Sequence, residues 1–206
     1  MPRVKIPRKS TAIDMTAMCD VAFLLLTFFI LTAKPRTDDP VPIDIPASAQ
    51  TVLLPEADVA TLTVGQKKVF FGVEGYEIRK AMLVEMGDKH NPKMSFTPDE
   101  AIRFASLSSF GVPINVMHQF LALEPEQRKN YTQPGIPVDT TKYNELYEWV
   151  YAARQVTKNL DKKELRISIK GDRKEEYPTI KTIISTLQKQ DVNKFALITA
   201  LRSAPK

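Results

Sequence analysis

One apolar segment near the N-terminus dominates the sequence: Met15-Thr-Ala-Met-Cys-Asp-Val-Ala-Phe-Leu-Leu-Leu-Thr-Phe-Phe-Ile-Leu-Thr-Ala33. Its length is close to the roughly 20 residues that an α-helix needs to cross the hydrocarbon core of a bilayer. Asp14 and Lys34 bound it with charge. We therefore predict a transmembrane helix over 15–33, with a single carboxylate, Asp20, inside it.

Asp20 is the main candidate functional residue. A carboxylate near the middle of a spanning helix costs roughly 2.5–3.5 kcal/mol on insertion scales, so such residues typically serve ion or proton movement. Thr16 lies one helical turn before Asp20 and Thr27 about two turns after it, on the same face. The three side chains form a narrow polar stripe, although a Thr hydroxyl can also bond its own helix backbone.

A polar stripe inside a membrane must face protein or a water-filled cavity. One helix cannot enclose its own carboxylate. We therefore predict that a second copy of the chain, a multi-spanning membrane protein, or both surround Asp20.

The flanking charges predict the orientation of the helix. Four basic residues precede it within residues 1–9, and Lys34 and Arg36 follow it. The positive-inside rule places residues 1–14 in the cytoplasm and the remainder of the chain on the other side of the membrane. The four N-terminal basic residues account for most of the formal net charge of +5, so no basic face remains to suggest nucleic acid.

A cleaved signal peptide is an alternative for residues 1–33. Cleavage after Ala33 would put Leu31 at the −3 position, where a small residue is needed, and the basic segment contains Pro2 and Pro7. A buried core helix is a second alternative, which the length and the nearly continuous apolar run past Asp20 disfavour. The transmembrane interpretation fits the segment best.

These residues resemble a known family. Ile13-Asp-Met-Thr-Ala-Met-Cys-Asp-Val21, followed by a Leu-rich run to Ala33, is similar to the Ile-Asn-Val-Thr-Pro-x-x-Asp-Val signature of the ExbD/TolR biopolymer-transport family. Asp14 stands where the family usually has Asn, and Ala17 where it has Pro. The helix entry is therefore expected to be capped and bent differently here.

The resemblance extends beyond the membrane segment. Val41-Pro-Ile-Asp-Ile-Pro46 resembles an element that the family carries after its helix. The stretch from Asp172 to Tyr177, the helix after it, and Phe195-Ala-Leu-Ile-Thr199 are similar to the family's C-terminal part. The match covers about residues 10–73 and 140–201.

The resemblance implies a function. In the family, the membrane Asp takes up and releases protons inside a ring of a multi-spanning partner, ExbB or TolQ, and the periplasmic domain passes force to TonB or TolA. Asp20 would carry the proton here, with Thr16 beside it. We expect a homodimer in the bacterial inner membrane, in contact with membrane lipid, with peptidoglycan as a further candidate partner. TonB-directed nutrient uptake is preferred over TolA-directed envelope maintenance, although sequence physics does not separate the two.

Residues 34–58 have the composition of a linker, with five prolines that favour an extended chain. Within it Val41, Ile43 and Ile45 alternate with polar or Pro positions such as Asp44 and Pro46. This alternation is typical of an edge strand that pairs with another chain. A plain tether explains the segment equally well.

A folded α+β domain is predicted over 59–201, with helices packed on a small mixed sheet. Gly65-Gln-Lys-Lys68 suits a short hairpin turn between two strands. Apolar periodicity and alternation predict the other elements. The predicted strands are 59–64, 69–73, 165–169 and a buried strand over 195–201, and the predicted helices are 142–159 and 178–190.

Residues 75–140 depart from the compact family pattern, and we interpret them as a helical insertion. Thr97-Pro-Asp-Glu100 is a capping box with Pro at the first helical position, which predicts a helix through about Leu107. Two more helices are predicted over 77–86 and 113–123. Residues 130–139 are predicted to form a loop.

Catalytic and metal-binding constellations are absent from the sequence. His90 and His118 lack neighbouring Cys or paired acids at metal-ligand spacing, and Cys19 is the single cysteine. Four methionines are expected to fill the core instead of binding a ligand: Met82, Met86, Met94 and Met117. We expect no enzymatic activity, no metal and no cofactor.

Three functions remain in competition. The first is a proton-coupled subunit of the ExbD/TolR type, which depends on the polar stripe around Asp20. The second is a periplasmic binding module whose helix only anchors it, for which Asp20 should be dispensable. The third is a secreted enzyme released by cleavage, which lacks catalytic groups. The first is favoured.

Overall fold

The computed structural model describes residues 15–33, 47–48, 58–90, 92–138, 144–172, 177–198 and 200–201. The chain divides into two compact units, residues 1–37 and residues 38–206. The predicted cytoplasmic segment 1–14 lies outside the described residues. So do most of the predicted linker and the five residues of the candidate docking segment, which are Val41, Ile43, Asp44, Ile45 and Pro46.

The described part of the first unit is one helix, α1, Met15–Thr32. Within the part of the chain that the structure describes, it is the one helix whose length and composition allow it to cross a membrane. Its large apolar side chains, from Met15 to Leu31, are all more than half exposed. A helix can lie in hydrocarbon because its backbone groups are bonded within the segment. An apolar helix is thus confirmed where the sequence predicts one over 15–33, and it ends at Thr32.

The second unit combines short strands with helices. Its strands are β1 (Ala47–Ser48), β2 (Val59–Gly65), β3 (Lys68–Val73), β4 (Arg166–Gly171), β5 (Phe195–Ile198) and β6 (Ala200–Leu201). Its helices are α2 (Tyr76–Lys89), α3 (Pro98–Ala105), α4 (Ile114–Ala122), α5 (Pro125–Asn130), α6 (Glu145–Leu160) and α7 (Tyr177–Gln188).

Four strands form one mixed sheet in the order β3-β2-β4-β5. β2 pairs antiparallel with β3, whereas β2 with β4 and β4 with β5 are parallel. The register places Ala60 opposite Ile167 and Leu62 opposite Ile169, and all four side chains are buried. The core therefore packs against this part of the four-stranded sheet. β1 and β6 form a separate parallel pair.

The turn between β2 and β3 has a loop of two residues, and both have a left-handed backbone. Gly65 pairs with Lys68, and the two loop residues, Gln66 and Lys67, have φ angles of 56° and 60°. Positive φ at both central residues is the type I′ pattern, whose twist matches that of the flanking strands. The hairpin is confirmed, but Gln66 and Lys67 carry the left-handed backbone conformations and Gly65 does not.

The core is centred on Trp149 of α6, which is fully buried. Its ring stacks on Phe104 of α3 at 5.8 Å between centroids and meets the edge of Phe110 at 4.7 Å. Phe110 in turn contacts Phe71 of β3 at 6.2 Å. Aromatic pairs of this geometry add about 0.5–1.5 kcal/mol each beyond burial of their area. This cluster joins the sheet, α3 and α6 into one core.

Residues 75–140 contribute to that same core. Met82 and Met86 of α2 and Met117 of α4 are buried, and Met94 packs against them, as predicted. The capping box of α3 is confirmed, since Thr97 and Glu100 exchange side-chain and backbone hydrogen bonds. α5, a helix of six residues, was not predicted.

Loops cover the outer edge of β3. Phe71 and Phe110 exchange two backbone hydrogen bonds of 2.8 and 2.9 Å, and Ile136 N–H donates to the Val69 carbonyl at 2.8 Å. Gly135 N–H donates to the Gly111 carbonyl, which holds the two loops together. β5 forms the opposite edge of the sheet, and no described residue pairs with its outer side.

The predicted buried strand over 195–201 is wrong in two respects. The segment divides into β5 and β6, which belong to different sheets. Leu197 is 62% exposed, and its neighbours in β5 are only partly buried. The physical reason is position: β5 is an edge strand, and an apolar run does not reveal whether helices cover both of its faces.

A substitution at Gly111 tests the packing of the loop that covers the outer edge of β3. A Cβ at this position would overlap the buried ring of Phe70, so Gly111→Ala should destabilise the protein by about 1–3 kcal/mol through overpacking. Chemical denaturation of the full chain in detergent micelles measures the loss. Gly171→Ala is the matched control, because its Cβ would meet only Ile180 Cδ1 at an ordinary 3.8 Å. Equal stability of the two variants would contradict this packing.

Candidate functional site in the apolar helix

The predicted polar stripe lies on one regular helix. Thr16, Asp20 and Thr27 all belong to α1, where their spacing places them on a common face. Asp20 and Thr16 are exposed, and Thr27 is half-buried. Among the described residues, no side chain donates a hydrogen bond to the Asp20 carboxylate. The described residues of the helix thus provide no hydrogen-bond donor for this carboxyl group.

The threonine hydroxyls are bonded differently. Thr27 Oγ1 donates to the Leu24 carbonyl at 2.9 Å, and Thr32 Oγ1 donates to the Phe28 carbonyl at 2.8 Å. A hydroxyl bonded to its own helix needs no other donor or acceptor to remain in an apolar environment. This contact explains Thr27 without a role in proton transfer, and it leaves both acceptor lone pairs of the hydroxyl available.

The surroundings of Asp20 are strongly apolar. Val21, Phe23 and Leu24 are between 56% and 62% exposed, and the exposure continues along the helix to Leu31. Such a surface is stable in hydrocarbon and not in water. Within hydrocarbon, a carboxylate is stable only against protein or water.

The predicted docking segment, residues 41–46, lies outside the described residues, but its immediate continuation is β1. Ala47 and Ser48 pair in parallel with Ala200 and Leu201 of β6. β6 follows the edge strand β5 after a single intervening residue. The sequence pattern predicts no strand at 47–48, since two small residues after a proline give no periodic signal.

Other polar side chains in the second unit have structural roles. His118 Nδ1 is bonded to Glu100 Oε1 at 2.7 Å, and its ring stacks on Phe96. Burial alone would raise the pKa of Glu100, but hydrogen bonds from His118 and Thr97 outweigh it and lower that pKa. Within the described ranges no group of three potential metal ligands occurs. Glu145, which the sequence pattern did not indicate, is a partly buried carboxylate at the start of α6.

Comparison with models of protein families gives a match for this chain. No curated protein and no solved structure gives a significant match. The family model described as "Biopolymer transport protein ExbD/TolR" matches residues 7–201, which include the polar stripe, the docking segment and every described strand and helix. The match covers nearly the whole chain, including the 75–140 region. The chain therefore belongs to the ExbD/TolR family of biopolymer transport proteins, which are membrane-associated components of transport complexes.

Proposed function

We propose that this chain is the ExbD-like subunit of an inner-membrane motor that couples the proton motive force to TonB-dependent transport across the outer membrane. The observation that supports this most is Asp20, a carboxyl group on a helix whose other side chains are uncharged and mostly apolar. Its family membership supports a transport role. A TolR-like subunit acting on TolA would use the same membrane site and differ in its periplasmic partner.

The energetics of the carboxylate suit a proton carrier. Protonated Asp20 is neutral and tolerates an apolar wall, whereas ionised Asp20 requires a polar one. A change of surroundings therefore changes its proton affinity. Moving one charge across the membrane yields about 2.3 kcal/mol per 100 mV, which is small for one proton but accumulates over repeated turnover.

The proposed assembly follows from the need to surround Asp20 with protein. We propose that two copies of α1 lie side by side within a ring of an ExbB-like or TolQ-like multi-spanning protein. The flanking basic residues favour an N-terminus in the cytoplasm. We propose that residues 15–33 lie in the membrane, that 34–58 form the periplasmic linker and that 59–201 form the periplasmic domain. Within that domain, residues 75–140 are the helical insertion.

The periplasmic domain is proposed to deliver the output through strand addition. β5 has no described partner on its outer side, whereas the 110 and 136 loops cover the edge of β3. A partner strand would gain main-chain hydrogen bonds at an open edge with little dependence on its own sequence. Residues 41–46 are the candidate segment of this chain for pairing with a strand of another chain. They directly precede β1, which already pairs with β6.

The first test replaces the proton-exchanging group. Asp20→Asn keeps the size and hydrogen-bonding capacity of the side chain but cannot exchange a proton. We expect energy-dependent transport to be lost while membrane insertion and complex assembly persist. Asp20→Glu is the matched control, since it keeps a titratable carboxyl and should retain part of the activity. Full transport by Asp20→Asn, measured in cells with equal protein levels, would reject the proton-carrier role.

The second test addresses the homodimer. Oxidative crosslinking of the native Cys19, or of single cysteines placed at positions 41–46, should trap a covalent dimer in intact membranes. Two α1 helices side by side bring equivalent positions within disulfide range, which requires Cα atoms less than about 7 Å apart. Cys19→Ser controls for crosslinking through other routes. Monomer alone at every position tested would contradict the arrangement.

The third test separates docking from tethering. Ile43→Pro with Ile45→Pro removes two backbone N–H donors without changing net charge, so strand pairing should fail while the domain stays folded. We expect proton flow to be uncoupled from transport. Ile43→Ala with Ile45→Ala retains the donors and should keep more activity. Unimpaired transport in the double Pro variant would show that the segment is only a tether.

Co-purification of the tagged full chain from membrane extracts distinguishes the two output systems. Recovery of a TonB-like protein supports the proposed uptake role. Recovery of a TolA-like protein assigns the chain to envelope maintenance instead.

A further inference from the structure

Helix α4 begins without a side-chain cap of its own. Its N-cap residue is Pro113, which makes no capping hydrogen bond. The first amide groups of a helix have no partner within the helix, and a buried unpaired N–H is costly. Ile114, the first residue of α4, is fully buried, so its N–H cannot rely on solvent.

Glu145 supplies the missing acceptor from another helix. Its Oε1 accepts the Ile114 N–H at 2.7 Å, across 31 residues of sequence. The same oxygen accepts the indole N–H of Trp149 at 3.1 Å. Glu145 is the first residue of α6, and Trp149 lies one turn later at the centre of the core. One carboxyl oxygen thus connects the start of α4, the start of α6 and the aromatic cluster.

The arrangement tolerates both protonation states. A protonated carboxyl has one carbonyl oxygen, which still accepts hydrogen bonds, and one hydroxyl, which donates. Since both donors here use Oε1, a proton can occupy Oε2 without breaking either bond. The ionised form is favoured by the N-terminal ends of α4 and α6 but opposed by loss of hydration.

We propose that Glu145, Ile114 and Trp149 form a proton-responsive latch that fastens the start of α4 to α6. Here we call these three residues the Glu145 latch. It stands whether or not Asp20 carries protons, because it depends only on contacts within the second unit.

Burial raises the pKa of the Glu145 carboxyl above its ordinary value of 4.5. Hydrogen bonds from Trp149 and Ile114 and the charge of His90 act in the opposite direction and only partly offset it. Among the described residues, His90, at the C-cap of α2, is the charged group that acts on this carboxyl. The other two elements at the latch contribute uncharged donors, the backbone of α4 and the indole of α6.

The sign of the pH effect follows from linkage. When the latch opens, Glu145 becomes hydrated and its pKa falls toward 4.5. The closed latch therefore binds the proton more tightly than the open one, so acid favours closure. The added stability is complete below pH 4.5 and is lost as the pH rises through the pKa of the closed form. The attachment of the 75–140 helices to α6 thus becomes tighter on acidification.

Trp149 is the single tryptophan of the chain and therefore reports directly on the latch. In the full-length protein in detergent micelles, its emission should titrate with a midpoint above pH 4.5, within a pH range where far-UV circular dichroism is unchanged. Glu145→Gln keeps an acceptor oxygen but cannot titrate, so its emission should be flat over that range. A wild-type midpoint at or below 4.5, or the same titration in Glu145→Gln, would overturn the latch.

A second variant keeps the proposal testable if Glu145→Gln fails to fold. Removing the cation in His90→Gln should move the Trp149 midpoint to higher pH, because a nearby positive charge lowers the pKa of a carboxyl. His118→Gln is the matched control, since His118 is paired with Glu100 and not with Glu145. An unchanged or lower midpoint in His90→Gln would assign the titration to another group and reject the proposal.

Discussion

The proposed assembly around α1 depends on the free-energy cost of placing a carboxylate in an apolar environment. Asp20 lies on a helix whose large side chains are all exposed and apolar, and no described residue of the chain satisfies it. Hydrocarbon cannot solvate the ion, so a membrane location of α1 would require protein or water around Asp20. The proposed assembly would satisfy the same residue that carries the proposed chemistry.

The membrane helix and most of the domain could be predicted because their signals are local. An apolar run of sufficient length defines α1, alternation defines β2 to β4, and the Thr97 capping box marks the start of α3. In each case the residues whose pattern indicates the helix or strand are the same residues that form it. Family membership could be predicted for a similar reason, since the Asp20 signature is short and contiguous.

The parts that could not be predicted depend on distant residues. β1 is a strand only because Ala47 and Ser48 meet residues 200 and 201, and nothing in their own sequence indicates it. The exposure of Leu197 results from the place of β5 at a sheet edge. The bond from Ile114 to Glu145 joins two helices across a long stretch of sequence. The register of the hairpin likewise gives Gln66 and Lys67 positive φ angles, which Gly and Asn adopt more readily.

The covered edge of β3 has a consequence for how many copies can assemble. A sheet with two open edges can add strands at both, which permits an unlimited chain of subunits and is the geometry of fibres. Here the loops around Phe110 and Ile136 occupy one edge of the four-stranded sheet, so among the described residues that sheet offers only its β5 edge for pairing. Under the proposed function, two copies joined at that edge would leave no free edge in this sheet. The loops of the 75–140 region would then limit growth through this sheet to two copies.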